Sequence, residues 1–296
     1  MIMIRAKQLT VIVLAGMALL SSVAEASQRR SHHTVRVRSD EPDLRSASAL
    51  VLDSTHSSVL YSRKADVSAP IASITKLMTV LVVADAGQPL DEPIQLTNED
   101  RIMGKGASSR LVLGTTLTRG DLIHLALMSS ENRAAHALGR NYPGGLPAFV
   151  QAMNAKAHKL GMTSAHFVDP AGLSCDNVAS AEDLSKLVMA ASENPVIREY
   201  STDRDYSVRV GRRMLEFRNT NALVSNPTWN IIVQKTGYIT EAGRCLVMQA
   251  VIQGRTVVIV LLNSVGKNTR VADAVRIRRW MEAKLQLDSR SAADKA

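Results

Sequence analysis

Aromatic residues are scarce in this chain: three Phe, two Trp and five Tyr among 296 residues. That leaves few stacking platforms for single-stranded nucleic acid. Cysteine is scarcer still, with only Cys175 and Cys245. Two thiols do not make a disulfide scaffold, and without paired histidine spacing they do not suggest a zinc site. Low glycine and proline counts, 16 and 9, exclude collagen-like and low-complexity material. Acidic residues fall short of basic ones, 27 against 36, so the formal net charge is +9. Such a chain prefers polyanions: nucleic acid, an anionic membrane or an acidic polymer. A hydrophobic content of 46% excludes a disordered chain. The length permits one large domain or two ordinary ones, stabilised mainly by a hydrophobic core.

Residues 1–26 have the layout of a secretory signal peptide. Arg5 and Lys7 form a positive head, Leu9 to Leu20 is a charge-free run of twelve residues, and Ala24-Glu25-Ala26 is a small-x-small cleavage site. Twelve residues fall short of the roughly 20 a transmembrane helix needs. An uncleaved N-terminal anchor is the plainer alternative. No cysteine follows the cleavage site to carry a lipid. Cleavage would remove one net positive charge (Arg5 and Lys7 against Glu25), leaving +8. Secretion implies a periplasmic protein with no stable membrane anchor and argues against a nucleic-acid partner. In that oxidising compartment a Cys175–Cys245 disulfide is open. Cys245 lies in an apolar strand-like run, where a buried free thiol is common.

Residues 27–46 are polar and basic and read as a flexible leader. Ser48 to Asp53 and Ser58 to Ser62 are short β-type runs. Ala69-Pro70 then opens an amphipathic helix, with Ile74, Leu77, Met78, Leu81 and Val82 at the helical period. Residues 91–117 alternate short strands and turns. Gly104-Lys105-Gly106 lacks the context of a phosphate loop. Thr118 and Asp121 form a near capping box for a helix through Met128. Further helices start after Ser130, span Leu146 to Leu160, and span residues 180–191. Tyr206–Val210, Met214–Phe217, Ile231–Ile239, Arg244–Ile252 and Thr256–Asn263 read as strands, with Gln253-Gly254 a tight turn. A basic helix from Asn268 to Leu285 precedes a polar tail, residues 286–296. Hairpin-linked strands make the sheet antiparallel and the class α+β.

Three short motifs occur in order: Ser73-Ile74-Thr75-Lys76, Ser130-Glu131-Asn132 and Lys235-Thr236-Gly237. The first two each have a decoy. Ser264-Val265-Gly266-Lys267 repeats the first pattern, and Ser192-Glu193-Asn194 repeats the second. Context separates them. At Ser73 the spacing falls at the start of a predicted helix, where residues three apart share a face. A nucleophilic serine needs a nearby base, and lysine serves if burial lowers its pKa. Ser264 ends a strand and Gly266 follows, so it reads as a strand exit. Ser192 and Asn194 read as helix terminators before Pro195. Ser130 lies in a corner between helices that can aim a hydroxyl and an amide into a cleft. Gly237, within a strand, permits close approach of a ligand, and Lys235 and Thr236 can hold a carboxylate.

With this trio the chain resembles the penicillin-binding DD-peptidases that share a fold with serine β-lactamases. It is most similar to the low-molecular-mass D-alanyl-D-alanine endopeptidases of the penicillin-binding protein 7 type. The segments IASITKLMT (71–79), MSSENRAAHALGRNYPGG (128–145), DPAGLS (169–174) and VQKTGYITEAGRCLVM (233–248) carry the resemblance, which covers roughly Ser48 to Gly266. It implies a five-stranded antiparallel sheet flanked by helices plus an all-helical subdomain, in a catalytic domain over residues 47–285. Ser73 is then the acylated nucleophile, Lys76 its base, and Ser130 the proton relay to the leaving amine. Asn132 orients the substrate amide, and Lys235 and Thr236 bind its carboxylate. The backbone N–H groups of Ser73 and Tyr238 form an oxyanion hole beside Gly237. No cofactor or metal is implied. The partners implied are peptidoglycan crosslinks or stem peptides, with β-lactams as covalent inhibitors. The role of Glu131, where some relatives carry Gly or Asp, stays open.

His158 and His166 flank Gly161 without metal spacing and read as surface or satisfied loop histidines. Asp169-Pro170 reads as turn chemistry, and Arg276, Arg278 and Arg279 as a solvated helix face. Three rival functions are weighed. A β-lactamase needs a water-activating glutamate, and no acid here has the expected flanking pattern. A DD-carboxypeptidase is the nearer rival, though such relatives often carry a further β-domain and an anchor. A non-catalytic wall-binding protein would not require a nucleophile, base and relay.

Overall fold

The computed structural model describes residues 41–101 and 108–293, with side chains up to residue 285. The signal-peptide reading, most of the leader and Gly104-Lys105-Gly106 lie outside the described residues. Two strands open the fold, β1 (Ser46–Asp53) and β2 (Ser58–Arg63), followed by a two-residue strand β3 (Ala69–Pro70). A 3₁₀ turn over Ala72–Ile74 leads into α1 (Thr75–Asp85). Then come β4 (Pro93–Gln95), β5 (Thr116–Thr118), α2 (Arg119–Met128), α3 (Asn132–Arg140) and α4 (Gly145–Lys159). They are followed by β6 (Val178–Ala179), α5 (Ala181–Glu193), α6 (Pro195–Thr202), β7 (Asp205–Val210) and β8 (Arg213–Arg218). Last are β9 (Asn230–Ile239), β10 (Gly243–Ile252), β11 (Arg255–Ser264) and α7 (Thr269–Ala293).

β9, β10 and β11 run antiparallel as consecutive hairpins, and β1 and β2 complete a five-stranded sheet ordered β2-β1-β11-β10-β9. The β10–β11 turn is the expected two-residue Gln253-Gly254, both with positive φ (52° and 76°), as a hairpin matching strand twist demands. Alternate side chains of β11 serve opposite faces. Val258, Val260 and Leu262 join the core beneath the helical subdomain. Val257, Ile259 and Leu261 join a second core with Ala274, Ile277 and Trp280 of α7. The sheet is thus covered on both faces, which is why its central strands read as continuous apolar runs.

Four sequence expectations shift. The chain before α1 pairs with β6 rather than opening a helix, so the α-helix begins at Thr75 and Ser73 sits in the 3₁₀ turn before it. α1 is not amphipathic: Thr75 to Val83 are all buried, because α2, α3, α4 and α5 pack around it. α7 continues to Ala293, beyond the expected Leu285. β1 begins at Ser46, two residues early, and Leu44 before it is already buried. Cys175 is exposed and Cys245 buried, and both are free. Burial pushes the Cys245 thiol up to about 11.

Candidate active site

Three pieces of backbone converge on one cleft of about 470 Å3. The first is the 3₁₀ turn carrying Ser73. It is held by Ile71 N–H donating to Asn177 O at 3.0 Å and by Ala72 at a positive φ of 49°, a conformation that persists only where its surroundings enforce it. The second is the α2–α3 corner. α2 starts with the capping box expected at Thr118, whose hydroxyl accepts from Asp121 N–H at 3.0 Å while Asp121 accepts from Thr118 N–H at 3.0 Å. After Met128 the chain turns through Ser130, also at positive φ (60°). Glu131 then caps α3, its carboxylate accepting from Ala134 N–H at 3.0 Å. That answers the question left open for Glu131: it fixes the helix start that presents Asn132. The third is β9, the edge strand of the sheet.

Gly237 is where β9 meets the 3₁₀ turn. A Cβ there would lie 2.8 Å from Ile71 O and 3.2 Å from Ser73 N. Glycine is therefore required by the turn that carries Ser73.

Lys76 Nζ lies 2.9 Å from Ser73 Oγ, 2.8 Å from Asn132 Oδ1 and 2.6 Å from Ala171 O. The side chain is fully buried. Burial lowers its pKa to about 7, against the opposing pull of Asp169 and Glu131. A lysine so placed is neutral in a large fraction at neutral pH and can take the Ser73 proton. Lys235 is also fully buried, its Nζ donating to Thr236 O at 2.9 Å. Burial, then the nearby charges of Lys76 and Arg270, hold it well below the usual lysine range.

Ser73, Ser130, Asn132, Thr236, Gly237 and Tyr238 line the cleft, while the two lysines lie behind its wall. All eight residues singled out from the sequence therefore gather at one place. Thr236 Oγ1 lies 2.6 Å from Thr220 Oγ1. Tyr238 is half exposed, with the Arg244 guanidinium 4.4 Å from its ring centre.

Several contributors carried no sequence signal of function. Arg270 of α7 lines the cleft and donates to Gly237 O at 3.0 Å. Asp169, read as turn chemistry, accepts from the N–H groups of Ala171, Gly172 and Ser174 at 2.7, 2.6 and 3.0 Å. That turn delivers the Ala171 carbonyl to Lys76. The decoys have structural roles. Asn194 caps α6 through Val196 N–H at 3.0 Å, and Ser192 Oγ donates to Met189 O at 2.7 Å. His166 takes part in a backbone bridge with Val178. Arg276 and Arg278 are half-buried and pair with Asp273 and Glu282, so they are less solvated than expected. Among the described residues no cluster of His, Cys, Asp and Glu suited to a metal is present, and no helix is long and apolar enough to cross a membrane.

A serine hydroxyl bonded to a buried lysine of lowered pKa, with a second hydroxyl and an amide lining the same cleft, is an arrangement that can support acyl transfer to serine. The chain belongs to the S11 peptidase family, described as D-alanyl-D-alanine carboxypeptidase, whose pattern matches residues 35–266. It is 49% identical over 244 residues to a D-alanyl-D-alanine endopeptidase of Pseudomonas aeruginosa, covering 82% of this chain and 79% of that one. It is 44% identical to a D-alanyl-D-alanine endopeptidase of Escherichia coli K12, covering 91% and 87%. Among solved structures, the Streptomyces K15 DD-transpeptidase superposes with a TM-score of 0.77 at 27% identity, covering 82% of this chain and 99% of that one. The fold implied by the resemblance, a five-stranded antiparallel sheet with helices, is the fold observed.

Proposed function

We propose that the protein is a periplasmic serine DD-peptidase that cleaves D-alanyl–diamino acid crosslinks in peptidoglycan through an acyl-enzyme on Ser73. The observation that carries this reading is the 2.9 Å contact between Ser73 Oγ and the Nζ of the fully buried Lys76. Neutral Lys76 removes the Ser73 proton as Oγ attacks the D-alanyl carbonyl. The N–H groups of Ser73 and Tyr238 stabilise the oxyanion. Ser130 passes a proton to the leaving amine, and Asn132 orients the substrate amide. Thr236, with the Lys235 amine and the Arg270 guanidinium beside it, holds the carboxylate beside the scissile bond. Water then hydrolyses the ester. β-Lactams acylate the same serine and inhibit. Residues 1–26 direct export, residues 47–285 form the catalytic domain, and no cofactor, metal or nucleic acid takes part. A second reading, release of terminal D-Ala by the same site, is favoured by the carboxypeptidase description of the family.

Labelled penicillin should mark the wild-type protein covalently and leave Ser73→Ala unmarked. Crosslinked muropeptides should be opened faster than pentapeptide monomers lose D-Ala. Full labelling of Ser73→Ala would remove the nucleophile assignment, and a reversed substrate preference would establish the carboxypeptidase.

A further inference from the structure

The cleft has an annex. A cavity of about 420 Å3 is lined by Arg110, Glu216 and Arg218, and Arg110 and Arg218 also line the main cleft. The guanidinium of Arg110 lies 3.9 Å from the ring centre of Phe217, a buried residue of β8. A guanidinium packed on a ring keeps its N–H donors free in a fixed fork and has little motion left to lose on binding. The loop that carries it is tied to the catalytic corner, since Asn132 Nδ2 donates to Ser108 O at 3.5 Å and Arg133 donates to Leu111 O. Arg218 is committed to Glu216 at 3.0 Å. Among the described residues no carboxylate pairs with Arg110. The annex therefore presents one oriented, uncommitted cation.

Its place along the substrate follows from the proposed function, on which this inference rests. Ser130 serves the leaving amine, and Thr236 the carboxylate next to it. The annex wall joins Thr236 through Thr220, whose hydroxyl is 2.6 Å from Thr236 Oγ1 and whose N–H donates to Met128 O at 3.1 Å. The annex is thus on the leaving-group side. A released D-Ala ends at its carboxylate and cannot reach further. The leaving half of a crosslink is a whole stem peptide that continues past that point and carries further carboxylates. We infer that the annex is a subsite for the leaving stem of a crosslink, with Arg110 pairing with one of its carboxylates in a forked contact. It is a specificity site: it lowers the barrier for crosslinks and adds nothing for terminal D-Ala.

The test uses the purified protein and four probes: a crosslinked muropeptide dimer, the same dimer amidated on the leaving stem's carboxylates away from the scissile bond, a pentapeptide monomer and labelled penicillin. Arg110→Ala should lower kcat/KM on the free dimer about 10- to 100-fold, the scale of a charge-assisted forked contact. Its losses on pentapeptide and penicillin should be at least about tenfold smaller than that. Amidation should slow the wild type but barely alter Arg110→Ala, and Arg110→Lys should recover only part of the loss, because an ammonium lacks the fork. Equal proportional losses on dimer, pentapeptide and penicillin would make Arg110 a structural strap and overturn the subsite, as would an Arg110→Ala enzyme that still discriminates against the amidated dimer. Wild-type protein that penicillin fails to label would overturn the proposed function itself. Normal labelling with an unchanged dimer-to-pentapeptide ratio in Arg110→Ala would overturn the annex alone.

Discussion

Ser73 and Ser264 each begin a serine-x-x-lysine pattern, and the fold separates them. Between Ser73 and Lys76 the backbone is helical, so the lysine returns over the serine and the two side chains meet at 2.9 Å. After Ser264 the chain leaves β11 through Gly266 at a φ of 92°, and Lys267 is exposed. Both serines are nearly buried, so burial does not distinguish them. Their partners do. Ser73 faces an amine that can release and accept a proton. Ser264 Oγ lies 2.7 Å from Ser46 Oγ, which in turn donates to the buried carboxylate of Asp273 at 2.6 Å. The same spacing joins serine to lysine here only where the backbone between them is helical and the lysine is buried.

The largest expected effect breaks the first pair and spares the second. Lys76→Arg should slow acylation by penicillin about 100- to 10,000-fold, the contribution of a positioned base, because guanidinium does not deprotonate at working pH. Lys267→Ala should stay within about twofold of wild type, as a surface change away from the cleft does. Rates of covalent labelling measure both. An active Lys76→Arg, or a disabled Lys267→Ala, would erase the distinction.

How far this contrast was legible in the sequence depends on which atoms carry it. The strand alternation of β9–β11, the Gln253-Gly254 turn and the Thr118–Asp121 box all follow from side-chain pattern, and the structure has them. The first two motifs could be assigned because each lay at a boundary between elements, and the third because its glycine interrupts a strand. What escaped is mostly backbone. The Ala171 carbonyl that holds Lys76 has no side-chain signature, and Asp169-Pro170 revealed the turn without its purpose. The 3₁₀ turn at Ser73 arises because Asn177 captures Ile71 N–H from more than 100 residues away, a tertiary effect that local periodicity does not register. α6 was missed although Asn194 followed by Pro195 is a helix-start signal. That asparagine both ends α5 and caps the next helix. Arg270 and Arg110 belong to no motif, and only the fold brings them to the cleft.

A medium effect sharpens what burial does to Lys76. Its pKa of about 7 reflects burial, opposed by Asp169 and Glu131, while Lys235 faces it from β9. The ammonium form cannot accept a proton. The acylation rate should therefore be flat above pH 7 and fall roughly tenfold per pH unit below it. Glu131→Gln removes a negative charge that favours the ammonium but retains an oxygen to accept Ala134 N–H. The midpoint should move to lower pH, so that the variant keeps more of its plateau rate in acid. A midpoint that stays in place or rises would show that Glu131 acts on α3 alone.

The smallest effect concerns the serine without a base. Ser46 Oγ donates its only hydroxyl proton to Asp273, so in the 2.7 Å contact with Ser264 it must accept, and Ser264 must donate. Asp273 also receives Ser46 N–H at 2.7 Å and Arg45 N–H at 3.0 Å, which fastens the start of β1 to α7. Ser264→Ala removes the outermost bond of this chain and leaves one buried lone pair on Ser46 unfilled. The Asp273 contacts remain. The loss should be about 1 kcal/mol, the net worth of one buried hydrogen bond, or roughly 2–4 °C in Tm for a domain of this size. Labelling by penicillin should proceed at the wild-type rate within about twofold, since the change lies outside the cleft. Thermal unfolding and penicillin labelling of the same preparation measure the two quantities together. A labelling rate that collapses while Tm holds would show that Ser264 acts on the chemistry, and the contrast between the two serines would then fail.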